Sequence, residues 1–337
     1  MKVLVTGGAG YVGGVSVDAI LEAGHTVVVL DDLTTGHRAI VNPAAALIVG
    51  SYGDPATIAG VLEAERPDVI LHCAARSLVG ESVRDPGRYY RDNVAGGIAL
   101  LEAARAAGVG GVVFSSTAAV YGVPDTTPIE EDAPLRPINP YGETKRTFEG
   151  ALRWYGEAYG LRSVSLRYFN VAGATERVGE VHLPETHLVP NALIAAEGGP
   201  QLTVFGENYP TPDGTPIRDY IHVADLAEAH LAALLLLVAD GDRSDNEAGD
   251  RPPQLVCNLG TSTGFSVREV LGVASTIVGR PIPHAVGPRR AGDPPVLVAS
   301  NARAREVLGW TPRRSTLETM IGSAWDWRRA HPGGYSD

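Results

Sequence analysis

A doubly wound parallel α/β sheet with a smaller C-terminal α/β lobe is the fold class predicted by this chain of 337 residues. Two observations carry the prediction. Short apolar runs alternate with helical stretches through the first half, the rhythm of a parallel sheet covered on both faces. The first of those runs, Lys2-Val-Leu-Val-Thr6, leads through Gly7-Gly-Ala-Gly10-Tyr11-Val12-Gly13 into a helical pattern reaching about Ala23. Strand, glycine loop and helix in that order give the Gly-x-x-Gly-x-x-Gly spacing its meaning. Gly7 permits a tight turn, Gly10 lets backbone approach a pyrophosphate, and Gly13 lets the helix pack on the strand. The helix N-terminus then offers N–H groups and partial positive charge to phosphates. The arrangement is Rossmann-type.

The remaining elements follow in order. Thr26-Val-Val-Val-Leu30 is the second strand, ending at Asp31-Asp32. An acid there accepts hydrogen bonds from the adenosine ribose hydroxyls and repels a 2′-phosphate, which selects NAD over NADP. Val69-Ile-Leu-His-Cys73 reads as a strand, about Arg88 to Ala107 as a helix, and Gly111-Val-Val-Phe-Ser-Ser116 as a strand. A helix from Tyr141 to about Ala158 and a strand Arg162-Ser-Val-Ser-Leu-Arg-Tyr168 come next. Ligands of such sheets sit beyond the carboxyl ends of the strands. That singles out Gly7–Gly13, Asp31, Ala74–Ser77, Thr117 and Phe169-Asn170.

Past residue 170 the rhythm changes, glycine and proline become frequent, and the segments shorten. Residues 1–170 are read as the cofactor-binding domain and 171–337 mainly as the lobe, with about 215–240 returning to the first domain. The acidic, breaker-rich stretch from Ala239 to Pro253 reads as a mobile surface loop.

Tyr141-Gly-Glu-Thr-Lys145 carries the chemistry. Only two lysines occur in the chain, Lys2 and Lys145, among 28 lysines and arginines. An ammonium is a compact charge that fits a small polar pocket, where a guanidinium is a wide planar fork. Spacing of four puts Tyr141 and Lys145 on one helix face, where the lysine can lower the phenol pKa toward a usable base. Asn139 is a good N-cap and Pro140 suits the first helical position. Tyr141 thus lies in the first turn, where the helix dipole also favours a phenolate.

The composition, 44% apolar and 20% charged, is that of a globular protein. A net charge of −11 argues against a nucleic-acid surface. No apolar run reaches 18 residues, and Leu231–Ala239 reads as a buried helix rather than a membrane span. The N-terminal apolar stretch lacks a signal-peptide layout, and Cys73 and Cys257 lie in apolar runs, so buried thiols in a cytoplasmic protein are expected. No metal is expected: His182 and His187 have no third ligand near them in the sequence.

The glycine loop, Asp31, Ser115-Ser-Thr117 and Tyr141-x-x-x-Lys145 together resemble the extended short-chain dehydrogenase/reductases. Further motifs narrow the resemblance to the UDP-sugar 4-epimerases within that superfamily. They are Val79-Gly-Glu-Ser82, Leu166-Arg-Tyr-Phe-Asn170, Phe205 to Thr215, Arg218-Asp-Tyr-Ile-His-Val-Ala-Asp225, Pro288-Arg-Arg-Ala-Gly-Asp293 and Gly309-Trp-Thr-Pro312. The resemblance implies Thr117, Tyr141 and Lys145 as catalytic residues. For NAD it implies the glycine loop with Tyr11 and Val12, then Asp31, Asp32, Leu33, Ser51, Tyr52, Cys73, Ala74, Ala75, Ser77, Asn93 and Phe169, besides Tyr141 and Lys145. For a UDP-sugar it implies Thr117, Asn170, His187, Leu188, Thr203, Val204, Phe205, Arg218, Arg290, Asp293 and Leu297. Arg218 and Arg290 would neutralise the diphosphate, Phe205 would pack against the uridine region, and Asp293 would accept from a ribose hydroxyl.

Three positions depart from the family pattern. Ser51 stands where relatives often carry an acid facing adenine, and Asp92-Asn93 where relatives carry Asn-Asn. Leu297 occupies a position thought to gate N-acetylated sugars, where a tyrosine excludes the acetamido group and a small residue admits it.

The implied reaction interconverts UDP-galactose and UDP-glucose through a 4-keto sugar, with Tyr141 as base and Lys145 lowering its pKa. Sister dehydratases and decarboxylases place acids just after the triad hydroxyl; here those positions are Ala118 and Ala119, which transfer no proton. An N-acetylhexosamine, pentose or uronate stays open as the sugar, as does a non-catalytic NAD-binding protein on the same fold. A homodimer is implied, pairing the helices near 88–107 and 141–158.

Overall fold

The computed structural model describes residues 1–241, 252–290 and 293–336. Most of the 239–253 loop expectation lies outside them. Seven parallel strands form the main sheet: β1 (Lys2–Thr6), β2 (Thr26–Asp31), β3 (Ala46–Val49), β4 (Val69–His72), β5 (Gly111–Thr117), β6 (Arg162–Tyr168) and, from late in the chain, Gln254–Leu259. Their spatial order is 3-2-1-4-5-6, with the 254–259 strand added outside β6. That last strand, expected in the lobe, pairs with β6 from Gln254–Ser163 to Leu259–Tyr168.

Each strand is apolar on both faces because both are covered. Val3 and Val5 of β1 pack with Val27, Val29, Val69, Leu71 and Val113 in one core, against α1 (Tyr11–Glu22). Leu4 belongs with Val28, Leu30, Ile70, Val112 and Phe114 to the opposite core. Helices α2 (Pro55–Glu65), α5 (Gly96–Ala106) and α6 (Pro140–Tyr159) close that second face. Two short helices, α3 (Val79–Arg84) and α4 (Pro86–Tyr89), precede α5. The helix expected from Arg88 to Ala107 is broken by a π-helical stretch at Tyr90–Ala95, which carries Asn93.

Beyond β6 the elements shorten. β7 (Asn170–Ala172) pairs in parallel with β10 (Tyr220–His222), and β9 (Ile217–Arg218) lies just ahead of β10. Between them come α7 (Leu188–Ala196) and β8 (Leu202–Phe205). Helix α8 (Val223–Gly241) returns to the main sheet, placing Leu226, Ala229, Ala233, Leu234 and Leu237 in the first core. Leu235 is 45% exposed, so this helix buries a face and not its whole circumference.

With the 254–259 strand labelled β11, the chain continues through β12 (Phe265–Ser266), α9 (Val267–Val278), β13 (His284–Gly287), β14 (Val296–Leu297), α10 (Ala302–Leu308) and α11 (Leu317–Ala330). β13 pairs with β8, and β9 lies between β12 and β14. Helices α7, α9 and α11 pack around a third core that includes Val189, Leu193, Val204, Val270, Leu271, Met320 and Ile321. Among the described residues no helix is long and apolar enough to cross a membrane.

Candidate active site

Because all seven strands of the main sheet run in parallel, the segments leaving β1, β2, β4, β5 and β6 emerge along one edge. At its centre the glycine loop is packed to the limit. Gly7 has φ +77°, and a Cβ there would sit 2.6 Å from Ala74 N and 2.7 Å from Ala74 Cα. A Cβ on Gly13 would fall 2.1 Å from Gly7 O. At Gly10 the nearest protein atom to a Cβ is Gly7 O at 3.4 Å, so this glycine leaves room on the outer side of the loop. No side chain caps α1, whose first turn follows Gly10. That combination, a cradle closed below by main chain with an uncapped helix terminus above it, fits a dinucleotide pyrophosphate.

Asp31 fixes the loop from β2. Its carboxylate accepts from Ala9 N at 3.0 Å and from Leu33 N at 2.9 Å. Burial pushes its pKa up and the two amides pull it back. Each oxygen retains acceptor capacity for a ribose hydroxyl. Leu33 takes φ +56°, a strained conformation for a non-glycine residue directly beside the site. Asp32 is exposed and accepts from Thr34 N.

Helix α6 delivers the chemistry. Asn139 caps it, accepting from Gly142 N at 2.8 Å. Its buried positions Tyr141, Thr144, Lys145, Phe148, Glu149, Leu152 and Gly156 follow helical spacing, so one apolar stripe carries both titrating groups inward. Lys145 is 3% exposed. Its Nζ donates to Ser115 O at 2.7 Å and lies 4.6 Å from the centre of the Phe114 ring. Burial lowers the ammonium pKa to about 8. Tyr141 is pushed up to about 12 by burial, with the Thr117 hydroxyl pulling it back through a hydrogen bond. In the protein alone burial outweighs any lowering of that phenol, and the Lys145 ammonium is turned toward the Ser115 carbonyl and the Phe114 ring. Thr117 Oγ1 accepts from Ala119 N at 3.2 Å, which leaves its hydroxyl hydrogen for Tyr141 or for a substrate oxygen placed between the two.

Several expected cofactor residues act in other ways than their side chains suggested. Tyr11 donates to Gly173 O at 2.5 Å, and Val12 faces the core, so only their main chain is available to a phosphate. Asn93 is committed to the protein: its amide bonds Arg76 N, Arg76 O and Thr144 Oγ1, tying the loop after β4 to the first turn of α6. Tyr52 donates to Asp92 O at 2.7 Å, and Ser51 accepts from Gly53 N at 3.2 Å. The Cys73 thiol meets Ser115 Oγ at 3.2 Å and is pushed up to about 11 by burial. Ala74 and Ala75 are partly buried and Ser77 is exposed.

A second cluster gathers the residues expected at the UDP-sugar. Arg218 donates to Asp293 at 2.5 Å, and Tyr209 donates to the other oxygen at 3.3 Å. The Arg290 guanidinium lies 4.0 Å over the Phe205 ring. A cavity of about 560 Å³ opens beside them between Gly206–Asn208 and Gly287–Arg289. Leu297 pairs with Arg218 across β14 and β9, and also packs with the cluster containing Phe169. Asn170 reaches Asp219 O with its side chain at 2.8 Å, joining the start of β7 to the residue between β9 and β10. Val204 offers its main chain and not its side chain. Strand alternation turns its side chain into the third core and leaves neighbouring Thr203 exposed. His187 is exposed, and Leu188 opens α7. Burial works to lower His187, but Glu180 and Glu185 more than reverse it and carry it up to about 10.

Two buried polar networks beneath the site were not anticipated. Glu149 bridges Arg167 at 2.6 Å and accepts from Ser116 Oγ at 2.5 Å. Arg167 also donates to Tyr121 and to Glu131 O. Separately, His230 of α8 joins Ser16 at 3.1 Å to Ser115 at 2.8 Å, and burial lowers its pKa to about 3, so the ring stays neutral. The available signals were an arginine inside an apolar strand and an acid eight residues after Tyr141 on the same helix face.

Comparison with known proteins agrees with this geometry. The model of the NAD-dependent epimerase/dehydratase family matches residues 3–244. A UDP-glucose 4-epimerase of Streptomyces lividans is 50% identical over 338 residues, covering 100% of this chain and 98% of that one. The structure of the Brucella ovis UDP-glucose 4-epimerase in complex with NAD has 45% identity and a TM-score of 0.90, covering 96% of this chain and 97% of that one. That of the Bifidobacterium longum enzyme with NAD+ and UDP has 33% identity and a TM-score of 0.90, covering 99% and 100%. The chain belongs to the NAD-dependent epimerase/dehydratase family.

Proposed function

We propose that this chain is an NAD-dependent UDP-hexose 4-epimerase that interconverts UDP-galactose and UDP-glucose, with Thr117, Tyr141 and Lys145 as its catalytic residues. The observation that carries the reading is the Thr117–Tyr141 pair, set one helical turn from the buried Lys145 and followed only by Ala118 and Ala119. The glycine cradle and Asp31 would hold NAD, which when bound would supply reversible hydride acceptance at the sugar C4. Thr117 donates to the sugar 4-oxygen and orients it. Tyr141 takes the 4-hydroxyl proton and later gives it back, so no net proton is consumed. The phenol of the protein alone lies too high to act as base near neutral pH. Lys145 is placed to hold the nicotinamide ribose and, together with the cationic oxidised ring, to lower it.

Arg218, Arg290 and Phe205 are assigned to the diphosphate and uridine, with Asp293 accepting from the uridine ribose. Each Asp293 oxygen takes one donor, from Arg218 or Tyr209, and keeps acceptor capacity for that last role. Val204 would contribute main chain only. Residues 1–170 with 215–240 and β11 then form the NAD-binding part, and the α7, α9 and α11 group the sugar-nucleotide lobe. The absence of acids at 118 and 119 favours epimerisation over elimination. Two free thiols support a cytoplasmic setting. Tyr90, Trp154 and Tyr159 are 42%, 58% and 58% exposed on or next to α5 and α6, which supports a homodimer through those helices. UDP-galactose deuterated at C4 tests the chemistry: the label should stay at C4 of the UDP-glucose formed. Washout into solvent would refute direct hydride return.

A further inference from the structure

The segment between β7 and α7 folds four metal-binding side chains onto one another. Glu180, His182, Glu185 and His187 span eight positions, and one ligand atom from each lies within 4.8 Å of all the others. His187 Nδ1 is 2.7 Å from Glu180 Oε1 and 3.2 Å from Glu185 Oε1. His182 Nδ1 is 3.3 Å from Glu180 Oε1 and 3.7 Å from Glu185 Oε2. Ligands bound at about 2.0–2.1 Å in a tetrahedron stand about 3.3 Å apart along its edges. The observed separations straddle that length, so small side-chain adjustments bring all four atoms onto one centre.

Burial and alignment point the same way. The side chains of Glu180 and Glu185 are only 6% and 8% exposed; in the protein alone His182 and His187 lie against both carboxylates, and a divalent ion would take over that charge balance with release of the ring protons. His182 Nδ1 is buried without a hydrogen-bond partner, although both carboxylates are near. It is close to two oxygens and aligned with neither, as expected of a nitrogen directed at a shared centre. Outer contacts are already in place: Glu185 Oε1 accepts from Thr186 N at 2.7 Å and His187 N at 2.8 Å. Two imidazoles with two carboxylates suit zinc and its neighbours better than calcium or magnesium, which take oxygen ligands.

We infer that Glu180, His182, Glu185 and His187 form a site for one divalent transition-metal ion of the zinc class. Sequence reading missed it because the two histidines were weighed without the two carboxylates that the turn at 183–186 brings beside them.

The test uses the full-length protein with its bound cofactor, stripped of metal by a chelator and dialysed. It is titrated with Co2+, read by the intensity of its visible absorption, and then with Zn2+ as competitor. One equivalent of Co2+ with the strong bands of a four-coordinate site, displaced by Zn2+, is expected. His182→Ala and Glu185→Gln should weaken binding at least ~100-fold, and His284→Ala should leave it unchanged. Circular dichroism and bound-cofactor content confirm folding, and the isosteric Glu180→Gln replaces any variant that fails to fold. No stoichiometric binding by the parent, or binding unchanged in the cluster variants, would overturn the inference.

Discussion

Replacing Arg167 with methionine strands a charge on Glu149, on the same buried face of α6 as Tyr141 and Lys145. Arg167 and Glu149 are buried, at 4% and 6% side-chain exposure, and 2.6 Å apart. Arg167 makes three of its hydrogen bonds to Glu149 and two more to Tyr121 and Glu131 O. Without the guanidinium, Glu149 keeps only the hydroxyl of Ser116 among these partners. Removing one member of a buried pair costs about 3–5 kcal/mol, chiefly because the other charge is left uncompensated. A chain of this length unfolds with an entropy of about 0.7 kcal/mol/K, so the midpoint should fall by about 4–7 °C. Scanning calorimetry of Arg167→Met, Glu149→Leu and the double variant reads it. The double variant should be more stable than Arg167→Met, because it removes the stranded carboxylate. Strictly additive losses, or a single-variant cost below about 1 kcal/mol, would refute the reasoning.

Three further outcomes are expected. Gly13→Ala forces a Cβ to 2.1 Å from Gly7 O and 3.0 Å from Gly8 Cα. It should cost about 1–3 kcal/mol and lower the NAD content of purified protein; full NAD occupancy with an unchanged midpoint would contradict the cradle. Lys145→Met should abolish turnover yet stabilise the cofactor-free protein near pH 7. Burial holds Lys145 near 8 against an ordinary 10.5, a gap worth about 3 kcal/mol. The unfolded chain keeps that proton to higher pH, so the parent gains on the variant between about pH 8 and pH 10.5; a variant less stable than the parent at pH 7 counts against this. Leu297→Gly should raise kcat/KM for UDP-N-acetylgalactosamine relative to UDP-galactose by about 10-fold or more, and an unchanged ratio would place the gate elsewhere.

Sequence alone exposed what depends on neighbours along the chain. The glycine loop, the Asn139 cap and the Tyr141–Lys145 face are each fixed within a few residues, and the structure places all three where the spacing requires. What depends on chain crossings stayed hidden. Glu149 meets Arg167 only because α6 lies across β6, and His230 reaches Ser16 and Ser115 only because α8 returns to the sheet. β11 read as lobe because glycine and proline flank it, yet its pairing with β6 outweighs that local signal. That the Val204 side chain turns into the third core was hidden because a motif cannot distinguish the two faces of a strand. Spacing also says nothing about where an ammonium points once Ser115 O and the Phe114 ring are available to it, so the high Tyr141 phenol of the protein alone was not legible.

Proton NMR of purified protein mixed with UDP-galactose, with no NAD added, tests the central claim most directly, with Tyr141→Phe run alongside. The account predicts UDP-glucose accumulating to a fixed ratio in the parent and none above background in the variant. Undiminished interconversion by Tyr141→Phe, or none by the parent even after NAD is supplied, would contradict it.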